Sequence, residues 1–168
     1  MSRGESTRAI AAAHAAGVAV TVHEYEPPAG GEGHDRRPAW GADAAAALGV
    51  DSRRMFKTLV AAVDGTRLAV GIVPVAGELD LRALAAAVGG RRAVMATAAE
   101  AERATGYVLG GISPFGLRRP LPAVLDATAR DWPTIHVSAG RRGLQLEIDP
   151  ADLARLTGAI EAPIAREG

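Results

Sequence analysis

Met55-Phe56-Lys57-Thr58-Leu59-Val60-Ala61-Ala62-Val63-Asp64-Gly65-Thr66-Arg67-Leu68-Ala69-Val70-Gly71-Ile72-Val73 is the stretch on which the fold turns. Two apolar runs, Met55 to Val63 and Arg67 to Val73, meet through Asp64-Gly65. Asp-Gly suits a tight hairpin because such turns need positive φ at their central residues. Short apolar runs bounded by turn residues read as strands, so this stretch predicts an antiparallel pair. A hairpin at the centre of the chain argues for a mixed sheet and against a doubly wound parallel one.

The flanks agree with that reading. Toward the N-terminus, Thr7 to Ala16 reads as an Ala-rich helix with Ser6 as cap and Gly17 as stop. Val18 to Tyr25 reads as a strand, with Val18, Val20 and Val22 on one face and Thr21, His23 and Tyr25 on the other. Pro27 to Gly41 is a Pro/Gly-rich loop that holds Trp40, and Asp43 to Leu48 is a short helix. Toward the C-terminus, Asp80 to Val88 reads as a helix, Ala93 to Ala96 as a short strand, and Thr97 caps a helix through Ala104. Gly110 to Pro120 is a loop. Ala123 to Asp126, Thr134 to Ser138 and Leu144 to Ile148 read as strands, the last two joined by a second hairpin at 139–143. Asp149-Pro150 opens a final helix to Leu156, with proline at its first position. The expectation is an α+β fold, residues 1–168 forming one domain without repeat or linker.

Composition narrows the chemistry. The chain has 168 residues, with 19 basic and 19 acidic side chains, and Lys57 is the one lysine among the basic ones. Where every other cation is Arg, a lone ammonium marks a position that requires one. There are no cysteines, which excludes disulfides, zinc–thiolate sites and a Cys nucleophile. His14, His23, His34 and His136 show no paired ligand spacing, so no metal and no cofactor is expected. No run of 18 apolar residues occurs, and Glu5 and His14 interrupt the Arg- and Ala-rich start that could imitate a signal peptide. The expectation is a cytoplasmic protein with no membrane contact. Zero net charge argues against broad nucleic-acid binding, DNA included. Residues 143–168 hold five acids and two bases, which leaves the rest net positive and room for a local basic site.

Four segments can carry chemistry. On a strand, Lys57 shares a face with Met55 and Leu59, so it either snorkels to an edge or presents a point charge to a phosphate or carboxyl group. Thr105 to Gly116 holds four glycines, and Gly110-Gly111 lets a ligand approach backbone N–H groups, though the bare pattern is weak and favours an ordinary tight turn. Ser138 ends a strand on the face it shares with His136. Neither Ser113 nor Ser138 lies in a nucleophile elbow, and a turn-stabilising Ser is the favoured reading, with both hydroxyls still able to bind substrate. The Arg pairs Arg53-Arg54, Arg118-Arg119 and Arg141-Arg142 flank these segments, and convergence would give a basic rim suited to a phosphodiester end. A solvated surface is the alternative.

Phe56-Lys57-Thr58-Leu59, Val73-Pro74-Val75-Ala76-Gly77-Glu78-Leu79-Asp80-Leu81, Thr105-Gly106-Tyr107 through Gly110-Gly111-Ile112-Ser113-Pro114, and Val137-Ser138-Ala139-Gly140-Arg141-Arg142-Gly143-Leu144 resemble, in this order, the YbaK family. Its members are free-standing aminoacyl-tRNA deacylases related to the editing insertion domain of prolyl-tRNA synthetases. The resemblance covers residues 6–165. Its Gly-Gly-Ile-Ser-Pro form is closer to the Cys-tRNA(Pro) deacylase branch than to the branch that clears Ala-tRNA(Pro). It implies a mixed, mostly antiparallel, β-barrel-like sheet surrounded by short helices, with a pocket for the aminoacyl-adenosine of the tRNA 3′ end. It implies that Lys57 is the residue most tied to activity. Tyr25, Trp40, Thr58, Gly110, Gly111, Ser113, Ser138 and Gln145 would bind substrate, and the Arg pairs would contact RNA. It also implies a substrate-assisted reaction, in which the cysteine thiol attacks its own ester to leave a thiolactone. Such a site needs positioning, not a protein nucleophile. Prolyl-tRNA synthetase is the implied partner. Two departures stand out: the 27–38 loop is long and rich in Gly and Pro, and Gln145 replaces a common acid. They keep open a deacylase for another small amino acid, such as Ala-tRNA(Pro), and a non-catalytic module that binds the aminoacyl-tRNA 3′ end.

Overall fold

The computed structural model of the chain describes residues 7–27 and 40–167. Ser6 and most of the 27–41 loop, Arg36-Arg37 included, lie outside them. The helix α1 (Arg8–Ala15) is capped by Thr7, whose side chain accepts from the Ile10 N–H. Strand β1 (Thr21–Glu24) is followed by α2 (Trp40–Leu48), which begins three residues earlier than the sequence predicts and places Trp40 in a helical turn.

The central hairpin forms as expected. Strand β2 (Phe56–Val63) pairs antiparallel with β3 (Arg67–Pro74) along its whole length, Phe56 opposite Pro74 and Val63 opposite Arg67. Residues 64–66 close the turn, with Asp64 and Gly65 at φ of 50° and 93°. The Asp64 carboxylate accepts from the backbone N–H of Arg91 and of Arg92. That holds strand β5 (Ala93–Met95) against β2, after β4 (Gly77–Leu79) and α3 (Leu81–Ala87). Helix α4 (Ala98–Thr105) then carries the chain to β6 (Ala123–Asp126), a 3-10 turn at Ala127–Asp131, β7 (Ile135–Arg141), β8 (Leu144–Ile148), α5 (Pro150–Thr157), β9 (Ile160–Ala162) and β10 (Ala165–Glu167).

Three sheets result: β5-β2-β3-β6-β9, β1-β8-β7, and β10-β4. Among the described residues only β3–β6 and β6–β9 pair in parallel as strands, so the sheet structure is mixed and mostly antiparallel. The barrel-like expectation needs correcting, because among the described residues the sheets do not close. A single parallel bridge, Met55 to His136, joins the first two. Strands β4, β9 and β10 escape a sequence reading because three residues are too few to show alternation.

One face of β2 and β3 packs with the inner face of β7 and β8, burying Phe56, Val60, Ile72, Val137, Leu144 and Leu146. The other face packs on α3 through Ala61, Val73 and Leu84. Burial on both faces explains why β2 and β3 read as nearly continuous apolar runs. Buried Asp126 accepts from the N–H groups of Ile164 and Ala165, both at 2.9 Å, and so ties the C-terminal segment to β6. Among the described residues, no helix is long and apolar enough to cross a membrane.

Candidate active site

The site starts from the alternation of β2. Phe56, Thr58 and Val60 point to the main core, whereas Met55, Lys57 and Leu59 point the other way. The bridge sets Met55 beside His136 in parallel. Continuing two residues along each strand brings Lys57 toward Ser138. Across β7, β8 and β1, Ser138 is opposite Gln145, and Gln145 is opposite His23. Directly opposed residues share a face, so Ser138, Gln145 and His23 stand on one polar surface, and Lys57 lies two residues past the bridge on the side of β2 that Met55 shares. Tyr25 extends that surface past the end of β1, where its N–H donates to the Gly143 carbonyl and its ring packs near Met55.

Lys57 is partly buried and makes no hydrogen bond or ion pair among the described residues. Burial pushes its ammonium pKa down, and the Glu78 carboxylate opposes that shift. Gln145 is 6% exposed, and its Oε1 has no hydrogen-bond partner. The hydroxyls of Thr58 and Ser113 are also buried and unpartnered. Thr58 lies on the core side of β2, away from the Lys57 face.

The glycine loop forms a wall of this surface. Gly110 has φ of 87°, and a Cβ there would meet Trp40 at 2.8 Å and Arg142 Nε at 2.5 Å. A Cβ on Gly111 would meet the Arg141 backbone at 2.6 Å. Both glycines are therefore required by close packing against the β7–β8 turn and α2. The Gly111 N–H is already taken by the Val108 carbonyl at 2.9 Å. The Arg142 guanidinium lies 4.4 Å from the Trp40 ring and donates to the Leu109 carbonyl. Tyr107 anchors the loop from behind: its hydroxyl donates to the Phe115 carbonyl at 2.7 Å, and burial pushes its pKa up to about 12.

A second polar row lies one step along the same sheet face. His23 Nε2 donates to Glu147 Oε1 at 2.9 Å, and Thr134 and Arg54 donate to Glu147 Oε2 at 2.6 and 3.0 Å. The bonds from Thr134 and His23, with Arg54 alongside, hold the Glu147 carboxyl below its ordinary value. His136 is 3% exposed with Nδ1 unpartnered, and its ring centroid is 5.2 Å from that of His23. Burial holds His136 below 6.5; Glu147 opposes that, while His23 and Arg54 add to it. Donor atoms of His23, His136 and Glu147 all lie within 4.8 Å of one another, so these residues could hold a metal ion. That corrects the picture of isolated histidines: the pair meets across strands, which linear spacing does not reveal. Glu147 is, however, already committed to three donors, one of them a guanidinium.

The basic rim comes apart in space. Arg53 pairs with Asp51 at 2.6 Å and Arg54 with Glu147, so both are neutralised locally. Arg141 and Arg142 stand at the glycine-loop wall. Arg118 and Arg119 border grooves at the far end of the central hairpin, beside Thr66 and Leu68. Val63 lies six steps along β2 from Lys57, about 20 Å at ~3.3 Å per residue.

Two solved structures share this architecture. Hypothetical protein APE2540 superposes with a TM-score of 0.81 at 23% identity, covering 95% of this chain and 100% of its own, a likeness of fold. A crystal structure described as "a putative trans-editing enzyme for prolyl tRNA synthetase" superposes with a TM-score of 0.80 at 29% identity, covering 99% of each chain. The family model for the Aminoacyl-tRNA editing domain matches residues 38–156, which take in Lys57, the glycine loop, Ser138 and Gln145. The chain belongs to this family, and it is a hydrolase of the aminoacyl ester. Over 120 residues, 71% of this chain and 73% of the relative, it is 39% identical to the Enterococcus faecalis protein named "Putative Cys-tRNA(Pro)/Cys-tRNA(Cys) deacylase EbsC".

Proposed function

We propose that this deacylase clears cysteine mischarged onto tRNA(Pro), working in the cytoplasm on tRNA released by, or held with, prolyl-tRNA synthetase. The observation that carries the reading is the unpaired, partly buried ammonium of Lys57, two residues past the bridge that joins β2 to the strand of Ser138, with an orphaned Gln145 oxygen opposite Ser138. Partly buried polar groups without partners suit a site whose ligand supplies them. The relationship to EbsC and to the trans-editing structure supports the choice of substrate.

In this reading Lys57 holds the terminal phosphate or orients the ester. Tyr25 and Trp40 flank the terminal adenosine, with Arg142 stacked behind Trp40. Ser138 and Gln145 hold the α-amino group, Gln145 by accepting a hydrogen bond without the charge pairing an acid would give. Gly110 and Gly111 let the acyl group approach the backbone. The cysteine thiol attacks the ester carbon, a C–S bond forms, the C–O bond to the ribose breaks, and the thiol proton passes to the ribose oxygen. Water then opens the thiolactone to cysteine. The protein's share is positioning and charge.

Two variants and a trap test this. Lys57→Ala should abolish deacylation of Cys-tRNA(Pro), and Lys57→Arg should impair it, because a planar guanidinium does not replace a compact ammonium. Cysteine thiolactone should be trapped as the first product. Undiminished turnover by Lys57→Ala would remove Lys57 from the mechanism, and free cysteine without thiolactone would remove the thiol attack.

A further inference from the structure

The far end of the central hairpin carries a charge pattern that the acyl site does not use. Two adjoining grooves, of about 420 and 330 Å³, share Thr66, Leu68 and Arg119 in their walls. Arg67, Arg103, Arg118 and Arg119 line them, with Glu100 as the one acid. Three segments supply these cations: Arg67 opens β3, Arg103 lies in the last turn of α4, and Arg118 and Arg119 follow the glycine loop. All four are exposed. Arg67 has a long contact to Asp64 at 3.7 Å. Arg103, Arg118 and Arg119 form no ion pair among the described residues. The Glu100 carboxylate is bound to the Thr97 N–H in a capping box, so it is oriented toward the helix end.

Four guanidinium groups in these walls against the single lining carboxylate of Glu100 leave a local excess of positive charge that an anion would offset. Guanidinium is suited to phosphate because its fork of donors matches two oxygens at once. A small metabolite would need donors that enclose it on several sides. These grooves are open and run side by side, which suits a chain of phosphates. The pattern also stands out against a net charge of zero, which gives the rest of the surface little attraction for RNA.

We infer that this Arg-lined groove is a second contact site for the phosphodiester backbone of the RNA substrate, engaged by the tRNA body while its acyl end occupies the Lys57 surface. The inference rests on the proposed function only for the identity of the RNA. About 20 Å of β2 separates the two sites, so one RNA strand can reach both. Phosphate contacts of this kind position a nucleic acid without reading its sequence.

The test measures binding of uncharged tRNA to the full chain and to the double variant Arg67→Gln/Arg103→Gln, over a range of salt concentrations. Both positions are exposed, and unchanged thermal unfolding would show that the variant folds. The variant should bind about tenfold more weakly or worse, with a salt slope smaller by about 0.9 for each lost duplex phosphate contact. Its KM for full-length aminoacyl-tRNA should rise while kcat holds. Equal affinity and equal slope in the two proteins would overturn the inference. So would full competition of tRNA binding by millimolar inorganic phosphate, which would mark a site for a small anion. The binding arm needs no turnover, so it fails or succeeds independently of the choice of Cys-tRNA(Pro) as substrate.

Discussion

Lys57 sits where packing and chemistry make opposite demands. An ammonium on β2 between Met55 and Leu59 loses part of its hydration, and that burial lowers its pKa. A side chain kept only for stability would be apolar there. Lys57→Met should therefore leave the melting temperature unchanged or higher, with deacylation lost; a melting point several degrees lower would make the ammonium structural. His136 gives the residue-scale pH dependence. Its folded pKa is held below 6.5, so between the two values the unfolded chain binds more protons than the folded one. Stability therefore rises with pH across that window and is lost as pH falls below 6.5. Glu147, whose folded pKa is lowered, adds a further loss as pH drops through its folded value, below 4.5. Urea midpoints should fall from pH 6.5 to 5 in the natural protein and much less in His136→Leu; equal slopes would clear His136. At this scale Lys57 is legible in the sequence because it is unique, and Ser138 by the strand face it shares with His136, although β7 runs on past it to Arg141 instead of ending there. The His23–His136–Glu147 row is not legible, because its members lie on three strands whose register no local pattern fixes.

Among the elements, Tyr107 and Asp126 add to the fastening that Asp64 gives β5. Tyr107 holds the glycine loop through its bond to the Phe115 carbonyl, and Thr105 prepares the turn by accepting from the Tyr107 N–H. Tyr107→Phe should lower stability by about 1 kcal/mol, the net worth of one hydrogen bond, and speed amide exchange in residues 108–115. Unchanged exchange there would mean that the loop is held by packing alone. Asp126 fastens the other end. Asp126→Ala leaves the Ile164 and Ala165 N–H groups unpaired, and each orphan buried there costs about 1–3 kcal/mol. Amide exchange at both positions should rise sharply; protection as in the natural protein would contradict the latch. The long hairpin and the capped helices α4 and α5 are readable because Asp64-Gly65, Thr97 and Asp149-Pro150 act locally. Strand β10 is not, because it exists through β4 and Asp126, both remote in sequence.

Over the whole molecule, zero net charge conceals separate arrangements. Arg53 and Arg54 are paired with acids, Arg142 is stacked on Trp40, and an Arg-lined groove, with Arg103, Arg118 and Arg119 outside any ion pair among the described residues, lies at the opposite end of the hairpin. The sequence shows the Arg pairs but not their dispersal, since adjacency along the chain says nothing about which end of a strand they reach. The fold class was legible because hairpin, capping and alternation signals agreed with one another. The central claim is that this deacylase acts on cysteinyl ester through the substrate's own thiol. Single-turnover rates on Cys-, Ser- and Ala-charged tRNA(Pro), measured side by side, test it most directly. Rapid release of cysteine is expected, with a loss of at least a hundredfold in rate on the serine ester, which replaces sulfur with oxygen, equivalent to about 2.7 kcal/mol in the barrier. Equal rates on cysteine and serine esters, or a faster rate on alanine, would contradict it.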